Sequence, residues 1–232
     1  MIDNLKIAKG INLTISLLIL ITILQSCKGQ DKKPDYNPKA IEFNNKAVQL
    51  MQRMEYDSAL ILFYKAIDID KNYYLPYSNM TGIYLSRKQF DKALQASDKV
   101  VEIKPDLAEG WTFAGMLYDR QGDSLTAKKY YNKSIEIFDN RINDPEKKKD
   151  LTVNKLNRAV SLILLGQEVE GKDELRKLKT ENPDDLMIDE FLKINKQDYI
   201  RQLIDNELKR PTTHVIGHFK NTTQKWELGE QP

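Results

Sequence analysis

Apolar residues recur at intervals of three or four positions through most of the chain, between about residue 40 and residue 208. This spacing is typical of amphipathic α-helices, whereas a half-buried strand would alternate at every second position. Prolines, glycines and short polar stretches interrupt the pattern often enough to keep each helix short. The pattern therefore predicts an all-α chain built from short helices that pack against their neighbours.

The helical pattern repeats with a period of 34 residues, which is best seen at the small residue near the start of every second helix: Ala59, Ala93 and Ala127. Other positions keep the same spacing, including Leu50, Tyr84 and Tyr118, and also Phe63, Ser97 and Tyr131. One stretch reproduces the motif W-x2-L-G-x2-Y with Trp111, Ala114, Gly115 and Tyr118, where Ala114 replaces the leucine. The chain resembles the tetratricopeptide repeat (TPR) family, in which each repeat is a pair of antiparallel helices.

The resemblance implies a helical-hairpin solenoid of about four units, in which stacking of neighbours supplies the core. We number these units one to four, at 40–73, 74–107, 108–141 and 152–185, with an insertion at 142–151. A capping helix is expected at 186–209 and a loosely ordered tail at 210–232. In unit four Gly171 replaces the expected alanine, so its second helix should be less stable by up to about 1 kcal/mol.

Helix-start signals lead to two further expectations. Asp57, Asp91 and Asp123 each precede the small residue of a second helix, where a carboxylate can cap the helix N-terminus. Two of them also begin Asp-Ser-apolar triplets, which resemble an O-glycosylation sequon of bacterial envelope proteins, and this alternative stays open. Within the insertion, Asp144-Pro145-Glu146 predicts one long helix from Pro145 to Leu165.

The first 27 residues differ from the rest of the chain. Lys6 and Lys9 lead into an apolar core at 11–24, which as a helix of about 21 Å is short of a ~30 Å hydrocarbon layer and fits a signal peptide. The sequence Leu24-Gln25-Ser26-Cys27 resembles the lipobox of bacterial lipoproteins. That resemblance implies removal of residues 1–26, a lipid on Cys27 and a polar tether at 27–39; an uncleaved membrane anchor is the alternative.

The expected location follows from the lipobox. We expect a protein of the bacterial cell envelope, held by its lipid on the periplasmic side and at the outer membrane rather than the inner one. Multiple acyl chains give stable anchoring because each buried methylene contributes about 0.8 kcal/mol.

Composition removes most other classes of function. The chain carries 36 Lys and Arg against 34 Asp and Glu, so it lacks the basic excess of a nucleic-acid binder. It contains one Cys and two His, which leaves little material for a metal site or general-base catalysis. We therefore expect no cofactor, no metal, no small-molecule substrate and no enzymatic activity, with an enzyme using His214 and His218 as the remote alternative.

The TPR resemblance implies that a peptide or helix binds along the concave face, which the first helix of each unit lines. The corresponding residues are Asn44, Asn45, Val48, Ser78, Asn79, Gly82, Thr112, Phe113, Met116, Arg120, Leu156, Asn157 and Val160. Chaperone-binding members carry a clamp of Lys, Asn, Asn, Lys and Arg; the matching positions here are Asn44, Val48, Asn79, Glu109 and Phe113. Since only Asn79 agrees, chaperone tails are not expected ligands.

These features together predict a membrane-anchored, non-catalytic adaptor or scaffold that binds a protein or peptide segment of unknown identity. The alternative is a dedicated inhibitor or immunity-type protein for one envelope enzyme or toxin. It differs from an adaptor in forming one tight, stoichiometric complex.

Overall fold

The computed structural model describes residues 36–145 and 151–205, except for the side chains of Met187, Gln202 and Asp205. Within these ranges every regular element is a helix, so the predicted all-α class is confirmed. The N-terminal calls, namely the signal peptide, Cys27 and most of the tether, lie outside the described residues. None of the described helices is long and apolar enough to cross a membrane.

Eight of the described helices form four consecutive hairpins, which are α1 (Pro38–Gln52) with α2 (Tyr56–Ile69), α3 (Leu75–Ser86) with α4 (Phe90–Ile103), α5 (Ala108–Arg120) with α6 (Ser124–Asn143), and α7 (Leu151–Leu165) with α8 (Glu168–Glu181). They correspond to units one to four in chain order. Two short helices and a π-helical turn follow, α9 (Leu186–Leu192), α10 (Lys196–Ile200) and Arg201–Asp205.

The same turn joins the two helices of every unit. In unit one the Glu55 N–H donates to the Leu50 carbonyl and the Met54 N–H donates to the Met51 carbonyl, which is the Schellman pattern of a helix C-terminus. The turn places one residue of each unit at positive φ: Met54 at 63°, Lys88 at 56°, Gly122 at 88° and Gly166 at 102°. Units one and two thus hold side chains in a conformation that favours glycine.

Contacts between units also repeat with the 34-residue period. Asp57 pairs with Arg87 of the next unit at 2.7 Å, and Asp91 accepts a hydrogen bond from Gln121 at 3.1 Å. The prediction that these two aspartates cap second helices was wrong, because α2 and α4 begin one residue before them. The prediction was correct for Asp123, which caps α6 by accepting the Thr126 N–H at 3.0 Å.

The long helix lies elsewhere than expected. Helix α6 extends to Asn143, so the second helix of unit three is the 20-residue element. Pro145 lies outside α6 and α7, and the described part of the next helix begins at Leu151. The remainder of the predicted helix from Pro145, at 146–150, lies outside the described residues.

Glycine at two helical positions has a packing cause. A Cβ atom on Gly171 would lie 2.6 Å from the carbonyl oxygen of Ala159 and 2.7 Å from Cγ1 of Ile163, and one on Gly115 would lie 2.7 Å from Cε1 of Tyr131. Reading Gly171 as a mere weakening of α8 was therefore incomplete, because the close approach of α7 requires a residue without a side chain at that position.

The C-terminal segment bends back instead of continuing as one helix. The chain breaks after α9, and Asn195 starts α10 by accepting the backbone N–H groups of Gln197 and Asp198 at 3.0 and 3.2 Å. The π-helical turn that follows contacts α5. Residues 206–209 of the predicted cap and the tail at 210–232 lie outside the described residues.

Candidate protein-binding surface on the first helices

We call the surface that the first helices of the four units are predicted to line the first-helix face. Helix α1 contacts α3, and α5 contacts α7, in addition to the contacts that each makes with its own hairpin partner. This is the surface that the sequence predicts to be concave and to bind a partner. The predicted contact residues of this face differ in how far they are exposed.

Exposure divides the first-helix face into two halves. Equivalent positions in units one to four hold Val48, Gly82, Met116 and Val160, once the ten-residue insertion is allowed for. Val48 is half-buried and Gly82 is exposed, whereas Met116 and Val160 have 0% and 1% of their surface exposed. Units one and two therefore form an open half, and units three and four form a covered half.

The open half is neutral in charge and mixed in polarity. Asn45, Val48 and Ser78 are partly exposed, and a Cβ atom on Gly82 would meet no other atom within 4 Å. Phe113, also partly exposed, lies at the boundary with the covered half. This surface offers amide and hydroxyl groups beside apolar side chains, with room left by the glycine.

Beneath the open half, two predicted contact residues bind each other. The Asn79 amide group donates to Oδ1 of Asn44 at 3.0 Å, and these residues are only 4% and 1% exposed. Oδ1 of Asn79 has no hydrogen-bond partner among the described residues. Both asparagines thus form the floor between α1 and α3, which corrects their prediction as direct surface contacts.

In the covered half, Thr112 ties three helices together. Its hydroxyl lies 2.6 Å from that of Ser134 on α6 and 3.0 Å from that of Ser161 on α7, and all three residues are buried. Asn157, on α7, is likewise only 3% exposed. Thr112 therefore belongs to the packing between units three and four and Asn157 is buried, so the prediction that both meet a partner directly is corrected.

Arg120 stacks on an aromatic ring of the preceding unit. Its guanidinium carbon lies 3.2 Å from the centre of the Phe90 ring, at the start of α4. This cation–π contact joins units two and three. Arg120 thus contributes to the interface between two units of the chain. Its sequence position had predicted a contact with a partner instead.

A buried ion pair occupies the clamp position at Glu109. Nη1 of Arg141 lies 2.8 Å from Oε1 of Glu109, whose side chain has no exposed surface, and Nη2 of Arg141 donates to the Asp106 carbonyl at 2.6 Å. Burial raises the pKa of Glu109, and the charge of Arg141 opposes that rise. Arg141 is the last residue of the predicted unit three, but the repeat pattern gave no sign that α6 continues as a helix through it to Asn143.

The covered half is closed by the chain's own C-terminal segment, residues 196–205. Nζ of Lys196 lies 2.7 Å from Oδ2 of Asp119 on α5, and the same carboxylate accepts the Tyr131 hydroxyl at 2.9 Å. Burial, followed by the Asp119 charge, raises the pKa of Tyr131. Met116 therefore lies under a cover and does not reach a partner while this segment is in place.

Four apolar side chains complete the cover. Tyr199, Ile200, Leu203 and Ile204 are 0–5% exposed and belong to the same apolar cluster as Met116, Leu156 and Val160. The Tyr199 hydroxyl is buried without a hydrogen-bond partner among the described residues. The segment thus presents one lysine and an apolar face to the first helices.

Within the described ranges no group of three or more His, Cys, Asp and Glu side chains is arranged to hold a metal ion. His214 and His218 lie outside those ranges, so the remote enzyme hypothesis rests on residues that the structure does not place.

Residues 108–141 match the family model described as tetratricopeptide repeat, and these are the bounds predicted for unit three. This part of the chain is similar to a tetratricopeptide repeat. The other hairpins share the turn of this unit. The likeness to the TPR family thus agrees with the motif at Trp111, Ala114, Gly115 and Tyr118.

Curated relatives include proteins that are named for heat shock proteins. The chain is 31% identical over 97 residues to the heat shock protein sti1 homolog of Schizosaccharomyces pombe, covering 42% of this chain and 16% of that protein. It is 28% identical over 148 residues to an Hsp70-Hsp90 organising protein of Plasmodium falciparum, covering 61% and 55%. The chain therefore spans less than two thirds of the length of these relatives.

The chain is also similar to proteins of known structure. PilW, described as a type IV pilus biogenesis factor, has a TM-score of 0.48 at 18% identity, covering 81% of this chain and 79% of that chain. The Sgt2 TPR domain from Aspergillus fumigatus has a TM-score of 0.40 at 23% identity, covering 53% and 80%.

Proposed function

We propose that the chain is a non-catalytic adaptor that binds a segment of a partner protein on the open half of the first-helix face. The observation that carries this proposal is the contrast between Gly82, which is exposed with open space around it, and Met116, which is completely buried at the equivalent position. Units one and two thus present a surface that no other described part of the chain covers.

The chemistry of the open half suits a neutral segment. Asn45 and Ser78 offer hydrogen bonds to a peptide backbone, and Val48 and Phe113 offer apolar contact, while Gly82 lets the segment approach the helix closely. A solved TPR of RPAP3 is described as bound to the HSP90 peptide SRMEEVD, which carries several carboxylates. The clamp position that would be basic for such a ligand holds Glu109 here, already paired with Arg141.

Site-specific photocrosslinking in cells tests the binding surface. A photoreactive amino acid at Asn45 or Ser78 should give discrete adducts with one or a few proteins. The same group at Gln95, an exposed residue of the second helix α4, is the matched control and should give none of them. Identical adducts from all three positions, or adducts from Gln95 alone, would contradict the proposal.

The adaptor is further proposed to be anchored in the bacterial cell envelope by a lipid on Cys27. The support is the lipobox-like sequence Leu24-Gln25-Ser26-Cys27 behind an apolar core that is short for a membrane span. The Cys27→Ser variant should fail to incorporate radiolabelled palmitate. Once uncleaved precursor has been removed from the sample, the remaining variant protein should be found in the soluble fraction. A wild-type protein that incorporates no label would contradict the lipid anchor. It would not bear on the proposed binding surface.

A further inference from the structure

The covered half of the first-helix face already holds a bound segment, because Lys196 pairs with Asp119 of α5 and the turn at Arg201–Asp205 contacts the same helix. The segment reads Lys196-Gln197-Asp198-Tyr199-Ile200 followed by Arg201-Gln202-Leu203-Ile204-Asp205. Its contacts with α5 are of two kinds, one ion pair at its start and apolar side chains along one side. These contacts show what chemistry the covered half accepts.

We propose that units three and four form a second binding surface, specific for an amphipathic helical segment with a leading lysine, and that residues 196–205 close it as a reversible lid. The proposal rests on the proposed adaptor function only in naming a partner segment as the competitor. The contact between lid and surface is a property of this chain and can be tested without a partner.

The anchor of the lid is a shared carboxylate. Asp119, whose side chain is only 6% exposed, accepts the Tyr131 hydroxyl at 2.9 Å and pairs with Lys196 at 2.7 Å. Nζ of Lys196 also lies 5.3 Å from the centre of the Tyr131 ring. Because Tyr131 holds Asp119 in place from below, the carboxylate stays available as a receptor for a cation when the lid moves away.

The lid itself is weakly built compared with the hairpins. It consists of the five-residue helix α10 and a five-residue π-helical turn, and isolated helices of this length are not stable in water. A π-helical turn is rare and is often found at functional sites. The buried Tyr199 hydroxyl makes no hydrogen bond to the described residues, so closing the lid leaves a polar group unsatisfied.

The rest of the array does not need the lid for its own hairpin contacts. Helices α5 to α8 pack against one another in sequence, and Thr112, Ser134 and Ser161 join three of them beneath the face. Removing the cover would expose Met116 and its apolar neighbours. Burial of this apolar surface would then favour binding of a helical segment from another protein. Occupation by a partner and closure by the lid are therefore mutually exclusive.

The direct test adds the lid sequence back as a separate molecule. A fluorescent peptide of residues 195–205 is titrated against the full chain and against its Lys196→Glu variant, in which the lid is repelled by Asp119 while the surface is intact. The peptide should bind this variant at least about tenfold more tightly than the wild type, because a site closed most of the time loses apparent affinity in proportion. The same peptide with glutamate at the lysine position should not bind.

A matched control separates the anchor from a general charge effect. Lys193→Glu makes the same change three residues earlier, where the lysine side chain is 68% exposed and pairs with Glu190 at 2.7 Å. This variant should bind the peptide like the wild type. Equal affinity of the wild type and both variants, with unchanged helical circular dichroism, would overturn the proposal.

Hydrogen exchange on the unmodified full chain covers the case in which Lys196→Glu does not fold. Amides of 196–205 should exchange at least about tenfold faster than those of α7 and α8, since the lid opens locally while the array stays folded. Exchange of the lid at the same rate as α7 and α8 would show that it opens only on global unfolding and would overturn the lid. Neither test depends on adducts at Asn45, so the two proposals fail separately.

Discussion

Gly82 and Met116 lie 34 residues apart at the same position of successive units, and the first is exposed while the second is completely buried. Equivalent positions in the repeated hairpins therefore differ in their exposure to solvent. Residues 201–205 and Lys196 contact α5, the helix of Met116, whereas a Cβ atom on Gly82 would meet nothing within 4 Å. The position of Gly82 marks the open half, and its environment leads to a first prediction.

Replacing Gly82 by alanine should raise the free energy of unfolding by about 1 kcal/mol. Alanine is favoured over glycine by this amount inside a helix, and the added Cβ atom would meet nothing within 4 Å. Urea unfolding followed by circular dichroism measures the change. A loss of stability would mean that this face is packed in solution.

The same substitution at Gly171 should have the opposite sign. Its Cβ atom would lie 2.6 Å from the Ala159 carbonyl oxygen, a backbone atom that cannot move aside cheaply. Overpacking typically costs about 1–3 kcal/mol, which outweighs the gain in helix propensity. Gly171→Ala is therefore expected to be destabilised by about 1–2 kcal/mol in the same urea experiment, with Gly82→Ala as its control.

The turns between paired helices give a second set of matched substitutions. Lys88 lies in the left-handed region at φ 56°, where Gly122 of the next unit has φ 88°. Because a side chain is strained there and glycine is not, Lys88→Gly should stabilise the chain by about 1 kcal/mol, and Gly122→Ala should destabilise it similarly. Thermal unfolding compares the two; a shift of equal sign in both would refute the strain account.

Removing one partner of the buried pair of Glu109 and Arg141 should strongly lower the free energy of unfolding, whereas replacing both should change it little. Arg141→Met leaves the Glu109 carboxyl buried without its cation, which typically costs about 3–5 kcal/mol, whereas replacing both charges by methionine is often close to neutral. Urea unfolding at neutral pH compares the single and double variants. A single variant as stable as the double one would show that the pair is not buried in solution.

The single variant should also depend on pH in a defined direction. Burial raises the pKa of Glu109, and loss of Arg141 removes the charge that opposes this rise. The folded state then holds the proton more tightly than the unfolded chain, so the contribution is fully present below the ordinary value of 4.5 and is lost as the pH rises toward the folded-state pKa. Stability of Arg141→Met should fall over that window more steeply than that of the double variant.

The repeat could be predicted because its spacing depends on local packing. Ala59, Ala93 and Ala127 are all completely buried, and the predicted bounds of unit three coincide with the TPR match at 108–141. Small residues where helices approach closely leave a periodic trace in the sequence. The extension of α6 leaves none, so neither its length nor the role of Arg141 was visible.

The binding surface could be predicted only in outline. The sequence indicated which helices form the face, but Asn44, Asn79 and Thr112 are buried and hydrogen-bond to residues of other units. Their polar side chains look alike in sequence whether they meet a ligand or each other. The cover over Met116 depends on a contact between Lys196 and Asp119, which are distant in the chain and belong to no repeated pattern.

The central claim is that the open half, at units one and two, binds a partner segment. The most direct measurement is the yield of photocrosslinked adducts from Asn45 when Gly82 is changed to leucine. The added side chain would fill the open space, so the account predicts a loss of adducts by about tenfold or more in a chain that is at least as stable. Gln95→Leu, on α4, should leave the yield unchanged. An undiminished yield from Gly82→Leu would contradict the account.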